Sequence, residues 1–253
     1  MDPYVLAMHL AVFAAALLQA ATGIGFGLLA GPIILIVTNS GSAIQVSILL
    51  SLVIALVLAP SLHRRADRVL LKRLLIGTVP GLPLGILVFT LVGVDMLKLL
   101  AGLAVLFMAL ITTGVVKFSR NEDSAANGRA ADLGIGVVSG AMCSSLGMPG
   151  PVVAARMMVL EQSKETLRAT VLVLFVFSYI AAIAAQAALV GLSRDGLILT
   201  ATLAPATLIG VFFGKLLVEW ISERAFRRII SFLLVATAAS LLLVSGRSLL
   251  GLA

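Results

Sequence analysis

Charge is what this chain has least of. Only 11% of its 253 residues are Asp, Glu, Lys or Arg, and none of the four occurs between positions 3 and 63. A soluble domain of this length needs a charged surface, so the scarcity excludes one. Cysteine is nearly absent as well: Cys143 alone excludes an intrachain disulfide and offers no metal cluster, and neither metal nor cofactor is expected. Acids are missing from every clear apolar span, which withholds the buried carboxylate that a proton-coupled carrier uses. A basic leader with a cleavage site is also missing at the N-terminus, so the first apolar stretch is expected to be retained.

What is present is hydrophobic: 61% of residues, with a mean hydropathy of +1.19. Uncharged runs at 43–59, 74–92, 99–116, 169–190, 197–214 and 229–245 have the length a helix needs to cross the hydrocarbon core. A transmembrane barrel would show shorter alternating segments. The fold class read here is all-α, a polytopic helical membrane protein. The net charge of +7 arises from basic residues in short loops, a topology signal rather than a nucleic-acid face. His63-Arg64-Arg65-Ala66-Asp67-Arg68 with Lys72-Arg73, and Arg224, Arg227 and Arg228, should be cytoplasmic; the near-neutral loops 93–98 and 191–195 should lie outside. The expected partners are a lipid bilayer and a small anionic substrate, without nucleic acid; the oligomeric state stays open.

Two further apolar stretches, 4–37 and 133–160, are each broken. Thr22-Gly23-Ile24-Gly25-Phe26-Gly27, followed by Gly31-Pro32, interrupts the first. Ser144-Ser145-Leu146-Gly147-Met148-Pro149-Gly150-Pro151 interrupts the second, roughly 122 residues on. Such breaks free backbone groups that lipid cannot satisfy, so they persist only where protein, water or a solute supplies partners. Each stretch is read as a helical hairpin with short arms, either two short spans or a re-entrant loop, and paired broken segments point to a transport site.

The halves also match elsewhere. Pro80 and Gly85 have the same separation as Pro205 and Gly210, while the basic loop precedes this helix in the first half and follows it in the second. Two inverted-topology repeats are expected, 1–118 and 133–253, joined by a cytoplasmic linker at 119–132, with about ten helical segments including the two Gly/Pro-broken hairpins and both termini outside.

The second break favours an anion. Pro151 suits the first turn of a helix running to about Leu160, whose unpaired amides near Gly150 and Val152 would face the break. Arg156 could lean back toward the same place and present a guanidinium fork to a tetrahedral oxyanion, or it could snorkel to the interface. Arg168 is a second candidate cation, or an ordinary positive-inside residue, with Thr170 donating beside it. Their counterparts near Gln45 and Ser47 would be neutral donors. Thr22, Ser144 and Ser145 could donate to the solute or serve helix packing. The glycines of the breaks, Gly23, Gly25, Gly27, Gly147 and Gly150, complete the candidate set. His9 is read first as an interfacial or packed residue and second as a proton relay.

The first break from Thr22 to Pro32, the second Gly/Pro break, Arg168-Ala169-Thr170 and the helix from Pro205 to Gly210 together resemble the sulfite exporter TauE/SafE family of bacterial membrane permeases, over nearly the whole chain. The resemblance implies alternating-access export of sulfur-containing oxyanions, such as sulfite or organosulfonates like sulfoacetate, across the bacterial inner membrane. This chain departs from the family at Gly147-Met148-Pro149-Gly150-Pro151, where consecutive glycines before proline are commoner. Rival readings are an anion channel with the same site and an intramembrane enzyme using Ser144 or Ser145. The enzyme reading lacks a G-x-S-x-G elbow and has only His9 and His63 to draw on.

Overall fold

The computed structural model describes residues 3–113, 115, 128–217 and 223–249. Among them are ten α-helices and a 3-10 turn at His63–Arg65. The first five helices are α1 Pro3–Thr22, α2 Phe26–Thr38, α3 Ser42–Leu62, α4 Arg68–Leu91 and α5 Val94–Thr113. The second five are α6 Gly128–Leu146, α7 Gly150–Val159, α8 Lys164–Leu189, α9 Arg194–Leu217 and α10 Glu223–Leu249. Seven of them, α1, α3, α4, α5, α8, α9 and α10, are long and apolar enough to cross a membrane. The chain is a polytopic helical membrane protein.

All six clear spans are helices, and most extend past the apolar run into its charged flank. Arg68, Lys72 and Arg73 lie in α4, and Arg224, Arg227 and Arg228 in α10, so much of the expected basic loops is helical. The reason at α4 is a cap: the Asp67 carboxylate accepts from the amides of Val69 and Leu70, both at 3.0 Å, and starts the helix at the arginines. Ser163 caps α8 in the same way through the Thr166 amide. Helix α6 begins at Gly128, so 128–132 of the expected linker is helical, while 119–127 lies outside the described residues.

The hairpins differ from the expected pair of short arms. Their outgoing arms α1 and α6 have 20 and 19 residues, and only the returning arms α2 and α7 are short, at 13 and 10. At the helical rise, α2 reaches about 20 Å and α7 about 15 Å. Each is shorter than a bilayer core about 30 Å thick, so neither return helix is long enough to cross it alone. The left-handed residues mark the same design twice. Gly23 opens the first break and Gly147 the second, with φ of 85° and 69°, Gly25 stands just before α2 with 141°, and Asn39 and Glu161 follow α2 and α7 with 46° and 53°. Gly25 and Gly147, like Asn39 and Glu161, are 122 positions apart.

Helix packing follows a crossed pattern. The fourth helix of each half lies along the first helix of the other, α4 on α6 and α9 on α1, while α5 packs on α10 and α3 on α8. Small residues allow this approach. A Cβ added at Gly81 would stand 2.1 Å from the Val137 carbonyl oxygen of α6, and one at Gly210 would stand 2.5 Å from the Phe13 oxygen of α1. Backbone thus meets backbone at both seams, which holds the two hairpins in place beside one another.

Candidate functional site

The two breaks touch. A Cβ at Gly27, in the first turn of α2, would lie 2.6 Å from the Gly147 carbonyl oxygen, and one at Gly150, the first residue of α7, would lie 2.9 Å from Ile24 Cγ2. Both short helices begin at this junction, so the positive ends of two helix dipoles converge there. Every residue from Gly23 to Pro32 and from Cys143 to Pro151 is buried, so the junction is closed over.

Protein side chains satisfy much of the backbone freed by the breaks. At the first, Gln19 Oε1 accepts from the Phe26 amide at 3.2 Å, the Thr22 hydroxyl donates to the Leu18 oxygen and accepts from the Ile24 amide, and an Arg168 guanidinium nitrogen donates to the Ala20 carbonyl oxygen. Gly23 packs against Arg168 itself, where an added Cβ would be 3.0 Å from its Cα. At the second, Gln186 Nε2 donates to the Ser144 carbonyl at 2.7 Å, Ser139 to the Pro149 carbonyl at 2.9 Å and the Tyr179 hydroxyl to the Gly147 carbonyl at 3.3 Å. Each break is bridged by one glutamine, and each glutamine keeps a buried end, Gln19 Nε2 and Gln186 Oε1, without a partner.

Ser47 of α3 lies between the second break and the second turn of α2. Its hydroxyl oxygen is 3.1 Å from a Cβ position at Gly31 and 3.4 Å from one at Gly147, and it too has no partner. A buried hydroxyl left unpaired costs about 1–3 kcal/mol. Thr38, Thr78, Thr112, Ser145, Thr200 and Ser240 avoid that cost by donating to the carbonyl four residues back, but Ser47 does not.

The candidate residues read from the sequence sort clearly. Gly27, Gly147 and Gly150 meet at the junction, while Gly23 packs on Arg168 at its margin and Gly25 on Leu18 of its own hairpin. Ser144 and Ser145 stand at the second break but donate to the carbonyls of Leu82 and Ala141. Arg156 does not converge on the break. Its Nε donates to Asp132 Oδ1 at 2.8 Å, near the start of α6, and Arg73 donates to the other oxygen at 3.0 Å. The side chains of Arg156 and Asp132 are only 8% and 3% exposed, so this pairing satisfies charges that snorkelling would otherwise carry to water. Gln45 and Thr170 hold loops at opposite ends instead. Gln45 donates to the Gly191 carbonyl and accepts from the Ser193 amide before α9, while Thr170 accepts from the Asp67 amide before α4. His9 Nδ1 pairs with the Val5 carbonyl oxygen of its own helix.

Sequence reasoning missed Gln19, Gln186, Tyr179, Asp132 and the central place of Ser47. The glutamines carried a usable signal, because a lone amide in an apolar helix demands a partner. Asp132 gave none, since it sits at the edge of a polar stretch that reads as linker.

No curated protein and no solved structure matches the chain. A family model, Sulfite exporter TauE/SafE, matches residues 8–241. With a polytopic helical fold and two broken hairpins in contact, the chain belongs to the sulfite exporter TauE/SafE family, a family of transporters for sulfite and related sulfur compounds.

Proposed function

We propose that this protein exports small sulfur-containing oxyanions, sulfite or organosulfonates such as sulfoacetate, across the bacterial inner membrane by alternating access. The observation that carries the reading is the contact of the two breaks, Gly27 on the Gly147 carbonyl. Two helix N-termini at that contact favour a negative solute, and Arg168 adds a cation at its margin. The crossed packing of α4 on α6 and α9 on α1, with the 122-residue spacing of matched left-handed residues, supports two inverted repeats. One repeat rocks on the other, opening the junction first to the basic end and then to the opposite end.

An interior potential negative by about 100 mV favours outward movement of a monovalent anion by roughly 2.3 kcal/mol, so export needs no coupling ion. Proteoliposomes loaded with sulfite test this. Efflux should saturate, show counterflow and quicken when the lumen is made negative. Flux that does not saturate and lacks counterflow identifies a channel. Flux that ignores the potential and follows a pH gradient contradicts uncoupled export. Ser144 and Ser145 do not support an intramembrane nucleophile, since each donates to a backbone carbonyl rather than to a histidine.

A further inference from the structure

We infer that Ser47, with the Tyr179 hydroxyl, supplies the direct hydrogen bonds to the solute at the junction, and that this site selects singly charged oxyanions over doubly charged ones. The inference rests on the exporter reading and names the ligands and the charge class of that same site.

Three observations lead to it. Ser47 is fully buried, forgoes the carbonyl of its own helix and has its hydroxyl oxygen beside Gly147 of the second break and Gly31 in the second turn of α2. Tyr179 is also buried, and its hydroxyl reaches the Gly147 carbonyl at a long 3.3 Å, a bond easily exchanged for one to an anion when the breaks separate. Its ring is fixed against Phe175, with centroids 5.1 Å apart, so the hydroxyl is held in place. An unpartnered buried donor beside the break that precedes the α7 N-terminus is a group waiting for an acceptor.

The charge class follows from the surroundings. The side chains at the contact, Ile24, Ser47, Met148, Phe175 and Tyr179, are uncharged. Among the described residues, the cation at the margin is Arg168, beside Gly23, and Arg156 is committed to Asp132. One guanidinium balances one negative charge. A second charge would be desolvated without a counterion, and that penalty grows with the square of the charge. A sulfonate or hydrogensulfite fits, whereas sulfate and doubly ionised sulfite do not.

Methanesulfonate and sulfate are matched probes, both tetrahedral at sulfur but fixed at one and two charges near neutral pH. Binding to the purified full chain, measured calorimetrically, should favour methanesulfonate by at least about tenfold. Ser47→Ala should weaken it by about tenfold or more, the scale of one hydrogen bond to a charged group. The unfolding midpoint without solute should stay the same or rise in Ser47→Ala, because the lost hydroxyl had no partner. Tyr179→Phe, which keeps the ring, is the second variant and should weaken methanesulfonate in the same direction. Equal or tighter sulfate binding, or unchanged affinity in both variants, overturns the inference. So does a wild-type protein that transports sulfite yet binds neither probe, although the exporter reading then stands. Absence of any sulfur-oxyanion flux from wild-type proteoliposomes instead defeats the exporter reading itself.

Discussion

The two broken hairpins share a backbone plan and differ in what holds it. Each has a long outgoing helix, a left-handed glycine and a short return helix ended by a left-handed residue. The first return helix ends at Asn39, whose side-chain oxygen accepts from Lys98 at 2.6 Å. The second return helix carries Arg156, locked to buried Asp132 and through it to Arg73 of α4. Around the breaks themselves, Arg168 reaches the first, while neutral Gln186, Ser139 and Tyr179 hold the second. The matching backbone plan therefore carries unequal charge: a guanidinium stands beside the first break, and neutral side chains stand beside the second.

That contrast can be broken most strongly at Asp132. Replacing it with Ala strands Arg156 in the interior and should cost about 3–5 kcal/mol in unfolding free energy, read by denaturant titration in detergent. Lys98→Met at the first hairpin removes a contact whose acidic partner, Asp95, is 37% exposed, and should cost about 1 kcal/mol or less. Equal costs would mean that the two ends are held alike.

Gly27→Val comes next. Its Cβ would press on the Gly147 carbonyl, so it should destabilise by about 1–3 kcal/mol and abolish flux, whereas Gly134→Ala, with open space around the added carbon, should do neither.

Arg168→Met against Gln45→Leu sharpens the contrast in charge. Loss of the guanidinium should lower flux at subsaturating solute by about tenfold, while the glutamine variant should change stability by about 1 kcal/mol through its lost loop contacts and leave flux within about twofold. The smallest effect is expected at Thr170→Val, about 1 kcal/mol in stability from the unpaired Asp67 amide, with solute affinity unaltered.

Much of the fold was legible because lipid allows few solutions: uncharged runs had to be helices, and Gly/Pro interruptions had to be buried against something. The same logic located the junction through Gly27, Gly147 and Gly150. It did not locate the partners. Arg156 read either as a solute ligand or as a snorkelling cation because its partner, Asp132, lies 24 positions earlier in a stretch with the composition of a linker. Ser47 and Tyr179 look locally like any small or aromatic residue of a membrane helix, and only the packing of α3 and α8 against both breaks gives them a role. Gln45 and Thr170 were read as donors to the solute, whereas Gln45 bonds the loop before α9 and Thr170 accepts from the amide of Asp67, partners that no local pattern reveals.

The central claim is that the touching breaks form the solute's path. Ser47→Cys in a Cys143→Ala background tests it most directly, using a membrane-impermeant thiol reagent on right-side-out and inside-out vesicles. The account predicts labelling from both sides, slowed by methanesulfonate. A thiol unreactive from either side, with transport intact, would contradict it.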